Sequence, residues 1–271
     1  MLWSGDETGL TTMLELYHAG LTQASVKVRT TLKEKGLAYK SHYLRLPEGE
    51  HLSPEFLAIN PDGQVPALVH DGEIITETTV INEYLDDAFP DPPLKPASPV
   101  ERARMRRWSQ IVDEHLFHAL ATLGWAFGIG EILRERGVAE FEKSLARITI
   151  HSKRQKWLKA FNGFPQEDID EARAKISYGV ARTERALAEH PYLAGPTYSL
   201  ADINVLPSVE RIPRWAPDLM NAQVSPRTWE WFGRLMARPA VKATYSVSEE
   251  APPRPTEARA ARLAQGGGRG S

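Results

Sequence analysis

Asn60-Pro61-Asp62-Gly63-Gln64-Val65-Pro66-Ala67-Leu68 decides how this chain folds. A turn signal, residues 60–64, runs into an apolar strand through an X-Pro bond. Proline lacks the N–H that a sheet ladder needs, so Pro66 belongs at a strand's edge or start. A cis bond at Val65-Pro66 would turn the chain sharply. It would leave the N–H and C=O of Val65 facing outward, where an extended peptide pairs as an added strand. Taken alone, the stretch reads more readily as an ordinary edge-strand proline, so its neighbours decide.

Upstream, Met13-Leu14-Glu15-Leu16-Tyr17 alternates like a strand and Gly20 breaks it. Residues 23–35 have helical character and stop at Gly36, a natural C-cap. Tyr39-Lys40-Ser41-His42-Tyr43-Leu44 reads as a second strand, and Ser53-Pro54-Glu55-Phe56 as a short helical turn with Ser53 as cap. Downstream, residues 65–69 form a strand, Asp71-Gly72 a hairpin turn and Glu73-Ile74-Ile75-Thr76 the return. Residues 78–89 have helical spacing, with Val80, Ile81, Tyr84 and Leu85 on one face. Residues 13–90 therefore read as one domain: βαβ, a short helix, then ββα.

Pro90, Pro92, Pro93, Pro96 and Pro99 follow, which predicts a linker over residues 91–99. Residues 100–247 read as all-helical. One long pattern covers 100–133, with Trp108, Ile111, Val112 and Leu116 facing inward, and a second covers 134–161. Gly163-Phe164-Pro165 breaks the run; further helices are expected over 166–189, 199–210 and 226–237. The fold class is α+β, a mixed domain followed by an all-α one. Residues 248–271, rich in Pro, Ala, Arg and Gly without apolar periodicity, are expected to be a disordered tail.

The chain has 271 residues and a formal net charge of -2, so bulk electrostatics select no nucleic acid. It has no cysteine, which excludes disulfides, thiolate-ligated metals and a cysteine nucleophile. Any thiol chemistry must use a thiol brought by a cosubstrate. No apolar run approaches the ~20 residues of a membrane-spanning helix, and the opening residues lack the basic-then-apolar pattern of a secretory signal. The expectation is a cytoplasmic protein without a membrane partner. His115 and His118 share a helix face near Glu114 but lack a third convincing ligand, so no metal is expected.

Just past the hairpin, Glu77-Thr78 opens a helix. A carboxylate beside a hydroxyl, at a helix N-terminus with free N–H groups, can grip a zwitterion: Glu77 takes an ammonium, Thr78 and the helix N–H groups a carboxylate.

Together with residues 60–68 and the later Ser199-Leu200-Ala201-Asp202, this pair resembles the glutathione transferase family over roughly residues 13–245. Ser199 and Asp202 also read independently as a capping box. The resemblance implies a thioredoxin-like first domain that binds glutathione as cosubstrate, a helical domain that holds a hydrophobic electrophile, and a homodimer. It implies that Val65 and Pro66 pair with the cysteinyl unit, that Gln64, Glu77 and Thr78 hold the γ-glutamyl end, and that His51 holds the glycyl carboxylate. A glutathione thiol, at pKa ~8.5, is mostly protonated at neutral pH. A hydroxyl at the start of the first helix would stabilise the thiolate, and a shift of two units corresponds to about 2.7 kcal/mol. Thr22 and Ser25 are the catalytic candidates. Theta-like members favour Thr22, the closer relatives below favour Ser25, and Tyr17 reads as a strand residue.

Further segments are similar to a narrower group, the glutathione-dependent β-etherases of bacterial lignin breakdown: Trp108, Val112-Asp113-Glu114, Gly124-Trp125-Ala126-Phe127-Gly128-Ile129, Asn162-Gly163-Phe164-Pro165-Gln166-Glu167, and Ser177-Tyr178-Gly179-Val180-Ala181-Arg182. That group begins its first helix with Asn-Ser, where this chain has Ala24-Ser25. The implied reaction is displacement of an aryloxy group beside an aryl ketone by glutathione thiolate. Trp108, Trp125, Phe127 and Tyr178 are the expected electrophile pocket.

Overall fold

A computed structural model describes residues 13–246 except 147, 149 and 150; the expected tail, residues 248–271, lies outside the described residues. The first domain runs β1 (Leu14–His18), α1 (Gln23–Glu34), β2 (Lys40–Tyr43), α2 (Pro54–Leu57), β3 (Ala67–His70), β4 (Glu73–Ile75) and α3 (Thr78–Ala88). Two 3-10 turns, Leu46–Glu48 and Glu50–Leu52, precede α2. The sheet order is β2-β1-β3-β4, with β1 parallel to β2 and antiparallel to β3. This is the expected βαβ-ββα arrangement. Leu14 and Leu16 alternate inward from β1 and meet Val28 and Leu32 of α1, Leu68 of β3, and Ile81 and Leu85 of α3.

The second domain runs α4 (Pro99–Arg136), α5 (Val138–Ala146), α6 (His151–Asn162), α7 (Gln166–Glu189), α8 (Leu200–Val209), α9 (Ile212–Trp215), α10 (Pro226–Met236) and α11 (Pro239–Tyr245). The helix expected over 134–161 is two helices. Gly137, at φ 84°, ends α4, and α5 and α6 pack back as a separate pair. Short α9 and α11 have no counterpart in the sequence reading. Two π turns, Val112–Leu116 and Trp125–Ile129, interrupt α4. Gly128 in the second lies under Trp215, where an added Cβ would come within 2.9 Å of the indole.

Contrary to the sequence expectation, α4 contains a window apolar enough in composition to cross a membrane. Its buried members Ile111, Val112, Leu116, Ala119, Leu120 and Leu123 supply the core shared with α7, α8 and α10, which accounts for its apolarity by packing. Only a third of that window is buried, however. Trp125, Ala126, Phe127 and Ile129 remain partly or wholly open. A smaller cluster of Leu133, Phe141, Leu145 and Ala160 joins the end of α4 to α5 and α6.

The predicted capping box at α8 is formed: Ser199 Oγ accepts from Ala201 N–H at 3.3 Å and Asp202 Oδ2 from Ser199 N–H at 3.0 Å. The second domain grips α1 along its length. Ser208 donates to Gln23 Oε1 at 2.9 Å, Arg211 to the Leu21 carbonyl at 2.6 Å, and Arg238 makes a bidentate pair with Glu34 at 2.7 and 2.8 Å. The N-terminus of α1 is thus held from both domains.

Candidate functional site

Three segments of the first domain converge at one end of the sheet. The turn over residues 60–64 is built by Asn60, which donates to the Gln64 carbonyl at 2.8 Å and accepts from Asp62 N–H at 3.2 Å. Gly63, at φ 59°, packs so closely on the His51 loop that a Cβ would meet Leu52 at 2.9 Å and the His51 carbonyl at 3.1 Å. The Val65-Pro66 bond is cis. Pairing of β3 with β1 starts at Ala67, opposite Tyr17, so half-buried Val65 precedes the ladder.

Beside it, Glu77 is exposed at φ 66°, a positive value rarely adopted outside glycine. It occupies the N-cap position of α3 without a side-chain cap bond. The first-turn N–H groups of α3 therefore have no side-chain cap from this residue, and half-buried Thr78 adjoins them. Strain at an uncapped helix start is typical of ligand-gripping positions.

Thr22 caps α1, its Oγ1 accepting from Ser25 N–H at 3.3 Å. The same hydroxyl donates to Ser25 Oγ at 2.8 Å, and Ser25 Oγ also accepts from Ala19 N–H at 3.1 Å. Ser25 is fully buried and Thr22 half-buried. The two candidates form one unit with Thr22 on its outer side. Tyr17 is indeed a strand residue, stacked on His42 with ring centroids 4.2 Å apart.

His51 is half-buried, with a buried Nδ1 that has no partner among the described residues. Burial, then the charge of Lys153 from α6, holds its pKa below the ordinary histidine value. Gln64 is exposed beside Val65.

Two groups here escaped the sequence reading. His18 is buried; its Nδ1 accepts from Gly20 N–H at 3.1 Å and its Nε2 lies 2.7 Å from Ser41 Oγ. The first bond requires an unprotonated Nδ1, which fixes a neutral ring with the proton on Nε2. Burial, then the charges of Arg29 and His42, pushes its pKa down to about 4. Lys27 of α1 is 2% exposed, and its nearest counter-charge, Asp113 in the first π turn, is 3.8 Å away. Burial lowers its pKa against the pull of Asp113 and Glu77. Nothing in a single sequence distinguishes this lysine from Lys33, the half-buried lysine further along α1.

The four expected pocket aromatics are not gathered into one wall. Trp108 is a core residue, donating through Nε1 to the Leu193 carbonyl at 2.8 Å. Tyr178 is exposed and packs on His115, centroids 4.7 Å apart. Phe127 is exposed. Trp125, in the same π turn, meets Trp157 of α6 edge-on at 5.8 Å. Trp157 was missed, because a helix so rich in lysine and arginine reads as a solvated surface. Among the described residues no cluster of three or more His, Asp or Glu could hold a metal.

The family model for the glutathione S-transferase N-terminal domain matches residues 24–88, and that for the C-terminal domain residues 116–239. The chain is 41% identical to Protein LigF of Sphingobium sp. (strain NBRC 103272 / SYK-6) over 87% of its own length and 94% of that protein's. It superposes on the crystal structure of beta-etherase LigF with a TM-score of 0.79, covering 86% of this chain and 98% of that one. It is 31% identical to a maleylacetoacetate isomerase of Rhizobium meliloti (strain 1021), covering 75% of this chain and 84% of the relative.

Proposed function

Because this chain belongs to the glutathione S-transferase family, we propose that the cleft between Val65, Glu77 and Thr22 binds glutathione and directs its thiolate at a β-aryl ether. The tripeptide lies as an added strand against Val65, beyond the cis Val65-Pro66 bond. Its γ-glutamyl ammonium meets Glu77, its α-carboxylate meets Thr78 and the free N–H groups of α3, and Gln64 closes that end. His51, with its unpartnered Nδ1, takes the glycyl carboxylate.

Thr22 is the hydroxyl that faces the sulfur: when glutathione binds, its single proton turns from Ser25 Oγ to the sulfur, and the Ser25 hydroxyl, behind it, donates to Thr22 Oγ1 across the same 2.8 Å contact. A hydroxyl donating to a thiolate favours the charged form and lowers the thiol pKa. The neutral His18 is the tautomer anchor behind this turn, not a base.

The thiolate then attacks the carbon bearing the aryloxy group, next to an aryl ketone. A carbon–sulfur bond forms, the carbon–oxygen bond breaks, and the electron pair leaves on the aryloxide. Products are a glutathione thioether and a phenol. Trp125, Phe127 and Trp157 supply aromatic wall, and no metal takes part. A second copy makes a homodimer, the first domain of one chain facing the helical domain of the other; Ile74 and Val80 of the first domain and Val100 of the second are exposed apolar side chains that such a contact would cover.

One observation carries the choice of electrophile: 41% identity to a named β-etherase across nearly its whole length. The test offers the purified protein, with glutathione, an aryl-ketone β-(2-methoxyphenoxy) ether, a haloalkane, an epoxide and a maleyl substrate. Release of 2-methoxyphenol with stoichiometric thioether is expected. Conjugation or isomerisation of the others without ether cleavage would replace the etherase reading by that of another transferase.

A further inference from the structure

Helix α6 carries His151, Lys153, Arg154, Lys156 and Lys159 and no acidic residue. Two of these charges are answered: Lys159 pairs with Asp168 at 2.5 Å, and Arg154 donates to the Leu145 carbonyl at 2.9 Å. The other two lysines lie one turn apart, Lys153 near His51 and Lys156 over Trp125. Lys153 is close enough to depress the protonation of His51. Lys156 is part-buried with its Nζ 4.9 Å from the centre of the Trp125 ring, and Trp157 closes on that ring edge-on. No carboxylate among the described residues pairs with Lys156, and burial alone holds its pKa below the ordinary lysine value.

An indole face offsets part of the cost of desolvating an ammonium, but a part-buried cation without an anion remains costly. The surroundings say which anion fits. The Trp125 ring lies against Lys156 and the Trp157 ring against Trp125, Ile129 belongs to the same apolar cluster, and α6 itself carries no acid. Such a site suits an anion whose charge sits on an aromatic ring. The reaction proposed above generates one, the departing aryloxide.

We propose that Lys156 is the proton donor to the leaving aryl oxygen. The inference rests on the etherase reading. As sulfur bonds to carbon and the carbon–oxygen electron pair moves to oxygen, an N–H of Lys156 transfers its proton there, giving a neutral phenol and a neutral amine. The amine regains a proton from solvent, balancing the one that glutathione lost in becoming a thiolate. Phenols have pKa values of about 10, like tyrosine, and an unperturbed lysine about 10.4. A desolvated ammonium is the stronger acid of the pair, so the transfer runs toward the phenol.

The experiment compares wild type, Lys156→Met and Lys156→Arg on two ethers of one aryl ketone, with 2-methoxyphenoxy or 4-nitrophenoxy as leaving group. The nitrophenoxide is stable without a proton. In Lys156→Met, kcat is expected to fall about 100-fold on the methoxyphenyl ether and only about threefold on the nitrophenyl ether, in the range of general-acid effects. The KM for glutathione is expected to stay unchanged. Lys156→Arg keeps the charge but cannot release a proton, and should show the same selective loss. Equal losses on both ethers would make Lys156 a packing residue. Full activity of either variant on the methoxyphenyl ether would also overturn the proposal. Wild type that cleaves neither ether removes the etherase reading itself, and this inference with it.

Discussion

Glu77 pays for its place in the cleft with backbone strain: at φ 66° an L-residue costs of order 1–3 kcal/mol. Glycine adopts this conformation freely, so Glu77→Gly should raise unfolding stability by up to about 1 kcal/mol. The same change removes the anion proposed for the γ-glutamyl ammonium. A hydrogen bond to a charged group contributes about 1.5–3 kcal/mol, so glutathione affinity should drop roughly 10- to 100-fold. Denaturant unfolding and titration calorimetry on the same variant read the two effects. A glycine variant that loses stability and keeps affinity would contradict both. Thr22 and Ser25 are separable in the same way. Thr22→Val should raise the pKa of the bound thiol, followed by thiolate absorbance, by at least about one unit, and cost about 1 kcal/mol as a lost cap. Ser25→Ala should shift that pKa less, because its hydroxyl is buried behind Thr22. A larger shift in Ser25→Ala would transfer the role to the serine.

At the scale of elements, the linker is anchored by a buried charge pair that proline content alone did not reveal. Lys35, at the end of α1, lies 2.7 Å from Asp86 and donates to the carbonyls of Phe89 and Pro92 at 2.6 and 2.9 Å. Asp86 also accepts from the N–H groups of Leu94 and Lys95 at 2.8 and 3.0 Å. Removing one partner leaves the other buried without its counter-charge, so Lys35→Met should destabilise by about 3–5 kcal/mol in thermal or chemical unfolding. A loss below about 1 kcal/mol would mean that the linker holds without the pair. The elements themselves were largely legible. The alternation of Leu14 and Leu16, the Asp71-Gly72 turn and the Ser199–Asp202 box act within a few residues, and each formed as expected. The π turns of α4 were not legible, because a one-residue excess per turn depends on what the helix meets, here Trp215 against Gly128.

For the whole molecule, His18 links folding to pH. Its folded pKa of about 4 lies below the ordinary 6.5, so folding favours the neutral ring. The resulting stability is present in full above pH 6.5 and is lost as pH falls toward 4, a change of about 3 kcal/mol. Asp202 works in the opposite sense: burial raises its pKa to about 6, so it disfavours the folded state as pH rises through the same range. A comparison of wild type with His18→Gln therefore isolates the histidine. The variant should lose about 3 kcal/mol less between pH 6.5 and 4 in denaturant unfolding. Parallel stability profiles would show that His18 titrates alike folded and unfolded.

By itself the sequence determined the order of elements in the first domain, the turn into β3 at Val65-Pro66 and the helix start at Glu77-Thr78, because turn chemistry, capping and apolar period are local. Tertiary structure alone decided which side chains meet. It buried Ser25 behind Thr22, sent Trp108 into the core, and set Lys156 of α6 on Trp125 of α4. Such contacts join residues tens of positions apart, and their geometry comes from the packing of whole helices, which no pattern confined to one helix can encode.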